Sequence, residues 1–205
     1  GLRRDMGPLR HWSDFQRCKA RVDALIYEEI GRRRRADDLG ERQDIMSQLL
    51  QTSFTDEEIH DELITLIVAG HETTGTALAW AFDLLLHHPP VLARLREELA
   101  AGDETYLEAV VHEALRLRPV VSTAQRVVRE PVEIGDYLIE PGITMFAAIW
   151  VVNRRPDVYG PDPLAFRPER FLGTRPGTYS WVPFGGGVRR CLGANFAPAG
   201  VRIAI

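Results

Sequence analysis

Apolar side chains recur at spacings of three and four through residues 13–35, where Phe15, Cys18, Val22, Leu25, Ile26 and Ile30 share one side of a 3.6-residue period. The spacing predicts an amphipathic helix with Cys18 turned to the core. Residues 44–51 read as a second, short helix, and the Gly- and Pro-punctuated residues 1–12 as a loop or the tail of an earlier helix. Thr55 and Glu58 form a capping box, with Phe54 and Ile59 placed for a hydrophobic staple. The helix opened there is predicted to run to His88, where Pro89 and Pro90 stop it. At ~1.5 Å per residue it would be about 50 Å long. Its middle (Leu63, Ile64, Leu66, Ile67, Val68) is apolar on all sides, which predicts burial.

Residues 90–99 read as a short surface helix ended near Gly102. Thr105 and Glu108 then make a second capping box, followed by a stripe of Tyr106, Leu107, Val110, Val111, Ala114 and Leu115. Residues 124–143 read as strands, with 132–139 a hairpin turning at Gly135-Asp136. A long Pro-rich connection fills 153–180, a length without regular structure that is often functional. The pattern as a whole is mainly α with a small β-sheet region.

At 205 residues the chain is long enough for one domain with a substantial core. A net charge of −4 argues against general nucleic-acid binding. The basic run Arg32 to Arg35 is flanked by Glu28, Glu29, Asp37 and Asp38 and reads as a solvated helix end. Cys18 and Cys191 lie too far apart for a zinc motif or a disulfide framework, which fits a reducing, cytoplasmic setting. No apolar run reaches the ~20 residues of a membrane span. Gly1 is not a start residue and Ile205 falls inside an apolar run, so the chain reads as a piece of a longer one.

Two stretches carry chemistry. The first is Phe184-Gly185-Gly186-Gly187-Val188-Arg189-Arg190-Cys191-Leu192-Gly193. Successive glycines suit a sharp turn or a close backbone approach. A cysteine behind them, at the start of a helix-like run and beside two arginines, sits where thiolate is favoured over thiol. Such a sulfur could ligate a metal or attack a carbonyl. The second is Ala69-Gly70-His71-Glu72-Thr73-Thr74, inside the long helix. Gly70 costs about 1 kcal/mol against Ala there, and a carboxylate in a buried stretch costs several unless paired. Two unfavourable choices side by side mark a site. The zinc-protease reading fails because position 75 is Gly where a second His is needed.

Phe184, Gly187, Arg189, Cys191 and Gly193 fit the haem-ligand loop of the cytochrome P-450 (haem-thiolate monooxygenase) superfamily, and the chain resembles the C-terminal half of that domain. The resemblance implies a partial haem-binding domain over 1–205, with the N-terminal half and the extreme C-terminus lying outside this chain. Cys191 would be the axial thiolate of haem b, with Phe184, Gly185, Gly187 and Gly193 close to the porphyrin. Gly70 would leave room for dioxygen, and Glu72 and Thr73 would relay protons. Arg126 and Arg189 would meet propionates. Glu113 and Arg116 resemble the family's E-x-x-R pair, with Arg170 of Pro168-Glu169-Arg170-Phe171 as third partner in a structural triad. The reaction implied inserts one oxygen atom of O2 into a small hydrophobic organic or lipid-like substrate. Its electrons would come from NAD(P)H through a ferredoxin or reductase, which Arg190 could contact, and a monomer without nucleic-acid partners is expected. An N-terminal membrane anchor ahead of residue 1 is compatible with this. The rivals are a haem-thiolate peroxygenase or isomerase, for which the Glu72–Thr73 pair is out of place, and a non-catalytic piece of a monooxygenase. Pro198, seven residues after Cys191, is expected inside a helix, where it would cost about 3 kcal/mol, and Gly200 would weaken the same helix.

Overall fold

The computed structural model describes residues 11–174 and 177–205; of the loop or helix tail expected over 1–12, residues 1–10 lie outside the described residues and the last two open the first helix. The chain is mainly helical with two small antiparallel sheets. Its contacts gather into two compact units, one ending at Ala69 and the other running Gly70–Ile205.

In the first unit, helix α1 (His11–Arg34) is followed by a 3-10 turn (Leu39–Glu41), helix α2 (Ile45–Leu50) and the start of helix α3 (Asp56–His87). Ile26, Ile30, Leu50, Ile59 and Leu63 form its core. The expected inward face of α1 is only half right. Cys18 is exposed, as are Phe15, Val22 and Leu25, because α2 and the start of α3 cover only the later turns of the stripe. The basic run is a paired helix end, as its flanking acids indicated: Arg32 and Arg33 hold Glu29, and Arg34 reaches Asp56 at 2.6 Å. Asp44 caps α2 by accepting from Ser47 N at 3.0 Å. That bond and the Arg33 guanidinium hold its carboxyl at about 2.

The capping box that opens α3 is reciprocal. Glu58 N donates to Thr55 Oγ1 at 3.2 Å, and Thr55 N donates to Glu58 Oε2 at 2.8 Å. The helix is 32 residues long, close to the predicted span. Its middle is buried only at Leu63, with Ile64 and Leu66 half-buried. Ile67 is 57% and Val68 66% exposed, and Gly70 to Thr73 are exposed too. An all-round apolar sequence reports a demand for cover, and no element among the described residues covers this stretch.

The second unit continues α3 into helices α4 (Pro89–Ala100) and α5 (Thr105–Leu117). Ala77, Ala81, Leu84 and Leu85 of α3, Leu95 of α4 and the α5 stripe make its core, joined by Phe166 and Val201. The second capping box does not form. Helix α5 starts one residue early, so Thr105 is its first residue and its N–H is taken by Asp103 Oδ1 at 2.8 Å. Strand β1 (Thr123–Val127) pairs antiparallel with β4 (Thr144–Ala148), and β2 (Val132–Ile134) with β3 (Tyr137–Ile139). The β2–β3 hairpin turns at Gly135, whose φ of 58° is the left-handed conformation glycine adopts freely. Helix α6 (Ile149–Val152) precedes the long connection, which holds helix α7 (Pro156–Tyr159) and a 3-10 turn (Pro168–Phe171) and is otherwise irregular among its described residues.

Helix α8 (Phe196–Ala204) closes the chain and corrects the reading of Pro198. Because α8 begins at Phe196, Pro198 stands at its third residue, where the N–H has no intrahelical partner to lose. Pro198→Leu should therefore leave the melting temperature within about a degree, a change of at most ~0.5 kcal/mol. Gly200→Ala should raise it, by up to ~1 kcal/mol, since a methyl there meets only Thr74 Cγ2 at 3.8 Å. Thermal melts followed by circular dichroism check both.

Candidate functional site

The loop ahead of α8 is held by its own backbone. Gly185 and Gly187 have φ of 70° and 63°, and Gly185 N donates to Val182 O at 3.0 Å. Cys191 N donates to Phe184 O at 3.0 Å, closing the loop across the glycines. A 3-10 turn (Gly187–Arg189) precedes the cysteine and another (Leu192–Ala194) follows it, with Cys191 at the cap. The thiol is free and exposed. Beside it in sequence, Val188 is fully exposed and Leu192 92% exposed, so the thiol belongs to a loop that presents apolar side chains outward. Phe184 turns inward, packing on the Trp181 ring at 5.9 Å.

A buried ion pair stands behind this loop. Glu113 and Arg116, both with no exposed side-chain surface, meet through Nε–Oε2 at 2.6 Å and Nη2–Oε1 at 2.8 Å. Arg170, expected as the third partner, approaches Glu113 Oε1 with Nε at 3.5 Å; its hydrogen bonds go to the carbonyls of Tyr159 and Asp162 and to Asp162 Oδ1. Arg167 and Arg170 in turn hold the Asp162 carboxyl at about 2. Several residues of this frame were not singled out from sequence. Tyr159 donates its hydroxyl to Ser180 O at 2.7 Å, and burial pushes that hydroxyl up to about 12. Trp181 Nε1 donates to His112 O at 3.1 Å, and Asn153 Oδ1 accepts from Val182 N at 2.9 Å. A polar Asn directly after the apolar run Ile149-Trp150-Val151-Val152 was the available signal. Burial, with the Arg118 and Arg116 charges nearby, lowers the Arg154 guanidinium.

The second motif sits on α3 in the same unit. Glu72 and Thr73 are exposed, so Glu72 is not the buried carboxylate that the apolar sequence around it indicated. The end of the motif and the middle of α8 are linked through the core: Gly200 faces Thr74, and Val201 lies in the cluster with Ala77 and Ala81. Arg126, on β1 opposite Met145, is exposed and donates to Gln125 O at 2.7 Å. Arg189 is exposed as well, and neither arginine has an acidic partner among the described residues.

These residues suit one kind of cofactor. No group of three or more His, Cys, Asp or Glu able to hold a metal occurs among the described residues. A metal bound at Cys191 would need its other donors from a ligand that brings its own. A porphyrin does so. Its apolar plane matches the outward-facing loop, and its carboxylates match unpaired guanidiniums such as Arg126 and Arg189.

The chain belongs to the cytochrome P-450 family, whose description matches residues 4–205. Over 200 residues it is 50% identical to "Putative cytochrome P-450 137" of Mycobacterium tuberculosis, covering 95% of this chain and 42% of that protein. Over 208 residues it is 42% identical to "Putative cytochrome P-450 135B1" of Mycobacterium bovis, covering 96% and 44%. The chain thus spans well under half the length of these relatives. A crystal structure of a cytochrome P-450 (CYP102L1) superposes with a TM-score of 0.78 at 27% identity, over 94% of this chain and 50% of that one. The ligand-free P-450 monooxygenase TamI gives 0.77 at 26% identity, over 94% and 44%. The fold is therefore a partial cytochrome P-450 fold, as the mainly helical pattern and the loop motif indicated.

Two measurements test this frame. Glu113→Gln leaves Arg116 buried without its counter-charge and should cost roughly 3–5 kcal/mol in a denaturant titration, whereas Asp14→Asn, at the exposed Arg17 pair, should change nothing measurable. The second concerns pH. Burial lowers the His112 imidazole, with Glu108 raising it and Arg202 lowering it to a lesser extent. A base held neutral in the folded state contributes stability that is full above its unfolded value of about 6.5 and is lost as pH falls below it. The fall in melting temperature between pH 7.5 and pH 5.5 should be smaller in His112→Phe, which keeps the ring contacts to Phe171 and Trp181.

Proposed function

We propose that this chain is the haem-binding portion of a monooxygenase that inserts one atom of O2 into a small hydrophobic substrate. The observation that carries the reading is the free, exposed Cys191 at the cap of a turn, on a glycine loop tied back to a buried ion-pair frame. Haem b would be held by the Cys191 sulfur, with Phe184, Gly185, Gly187 and Gly193 beside it, Arg126 and Arg189 on its propionates, and Gly70 leaving space on α3. When bound, haem would supply the activation of dioxygen, which a thiolate ligand such as Cys191 would favour by electron donation.

The chain's own side chains bind, orient and move protons. Glu72 takes a proton from water onto a carboxylate oxygen, for which its exposure suits it. Thr73 passes one on at Oγ1, accepting as it donates. Successive helical residues point ~100° apart, so a proton passing between the two would need a water to carry it. Glu113, Arg116 and Arg170 take no part in the chemistry and hold the segment before the loop. Electrons from NAD(P)H would enter through a ferredoxin or reductase, with the exposed Arg190 on the receiving face. We propose a cytoplasmic monomer without nucleic-acid partners; among the described residues no helix is long and apolar enough to cross a membrane. The presence of both Glu72 and Thr73 favours a dioxygen-using enzyme over a peroxygenase or isomerase.

A second reading, a chain that binds haem without productive turnover, has one observation in its favour. Glu72 and Thr73 stand in solvent, and a water-flooded site leaks protons and intermediates. Spectra and coupling separate the two. The haem-loaded protein, reduced and treated with carbon monoxide, should give the red-shifted Soret band of a thiolate adduct, and Cys191→Ala should lose it. With a redox partner, oxygen consumption should match product; Thr73→Ala should divert it to peroxide. A wild-type chain that gives the band but releases only peroxide would favour the second reading.

A further inference from the structure

We infer that Asn153 is a positioning residue for Cys191, transmitting the fixed geometry of the buried ion pair to the thiol loop. The side chain is wholly buried at the C-terminal cap of α6. Its backbone carbonyl accepts from Arg116 Nη1 at 2.9 Å, and its Oδ1 accepts from Val182 N at 2.9 Å. Val182 O then accepts from Gly185 N at 3.0 Å, opening the glycine turn, and Phe184 O accepts from Cys191 N at 3.0 Å. Successive short links thus run from a guanidinium fixed by Glu113 to the backbone of the cysteine. Tyr159 and Trp181 brace the same segment, but at Ser180 O and His112 O, short of the turn itself.

The amide is an expensive choice at this position. Asn153 Nδ2 is buried without a hydrogen-bond partner among the described residues. An unsatisfied buried donor is destabilising, and an apolar residue of similar size would avoid it. The one polar atom that is used is Oδ1, and what it satisfies is the N–H of a residue outside any regular element. The side chain is therefore retained as an acceptor, which fixes the variants that test it. Asn153→Asp keeps an acceptor and removes the unpartnered donor, at the desolvation cost of a buried carboxylate. Asn153→Leu removes the acceptor while filling the space.

The inference rests on the role proposed for Cys191 only in its haem-loaded arm. Amide hydrogen exchange on the 205-residue chain needs no cofactor. In Asn153→Leu, the amides of Val182, Gly185 and Cys191 should exchange about tenfold faster or more, while those of Val110 and Val111 in α5 keep their protection. In Asn153→Asp the exchange of Val182, Gly185 and Cys191 relative to that of Val110 and Val111 should match the wild type, because the cost of a buried carboxylate falls on the whole unit. Loaded with hemin, reduced and exposed to carbon monoxide, Asn153→Leu should give a smaller thiolate share of the Soret absorption, and Asn153→Asp the wild-type share. If Asn153→Leu does not fold, Asn153→Ser replaces it, since a shorter hydroxyl falls short of Val182 N. Unchanged exchange at Cys191, equal loss of protection in α5, or an Asp variant that loosens the loop relative to α5 as much as the Leu variant does would each overturn the inference. A wild-type chain that forms no thiolate adduct while the exchange pattern holds would instead overturn the haem reading and leave the positioning role standing.

Discussion

The interaction on which the cysteine side of this molecule depends is the ion pair between Glu113 and Arg116. Two full charges without exposed surface cost several kcal/mol each to desolvate, and only close, multiply bonded geometry offsets that. The geometry meets the demand. Arg116 spends its remaining donors on the carbonyls of Asn153, Pro163 and Ala165, and Glu113 Oε1 also accepts from Arg167 N at 2.9 Å. One guanidinium and one carboxylate thereby satisfy backbone groups across a stretch with little regular structure to do so. Arg170 forms an outer layer, closer to Asp162 and the Tyr159 carbonyl than to Glu113.

This explains why a long irregular connection is tolerated inside a compact unit. Loops are normally left at the surface because buried backbone polar groups need partners. Here residues 153–170 find them in a side chain already rooted in the most buried helix of the chain. The first unit works differently. Its pairs, such as Lys19–Asp23 and Arg34–Asp56, are largely exposed, and they decorate a small apolar core rather than organise a backbone. His60 is the exception there, buried against Tyr27 with its ring nitrogens on Asp23 and Asp61.

What the sequence made legible was local or periodic. The extents of α1 and α3, the apolar stripe of α5, the Thr55–Glu58 box, the Gly135 turn and the pairing of Glu113 with Arg116 depend on neighbours within a few residues, and each stands as the pattern indicated. Burial was legible only where the covering element lies within the chain. Periodicity put Cys18, Ile67 and Val68 inside, and all three are exposed, because a stripe states what a helix can bury and not what arrives to bury it. Pro198 was misplaced for a related reason. The cysteine suggested an immediate helix start, whereas a 3-10 turn intervenes and moves the first helical turn to Phe196. Asn153 left only the trace of a polar residue after an apolar run, because its partners, Arg116 and Val182, are 37 and 29 residues away in sequence.

The two chemical motifs meet the rest of the molecule in opposite ways, and the contrast follows from what each must do. The cysteine loop is irregular backbone, so its position has to be supplied from outside, and it is: by the pair, by Asn153, and by the Cys191–Phe184 bond that closes it. The Gly70–Thr73 stretch lies in a continuous helix and inherits its position from the helix itself, needing no side-chain support beyond the core that begins at Ala77. Beyond the cysteine loop, α8 faces that helix at Thr74 across Gly200. A loop referenced to α5 and a helix segment referenced to α3 therefore share one core. Val201, Ala77 and Ala81 all lie in that apolar cluster, and they carry no chemistry at all.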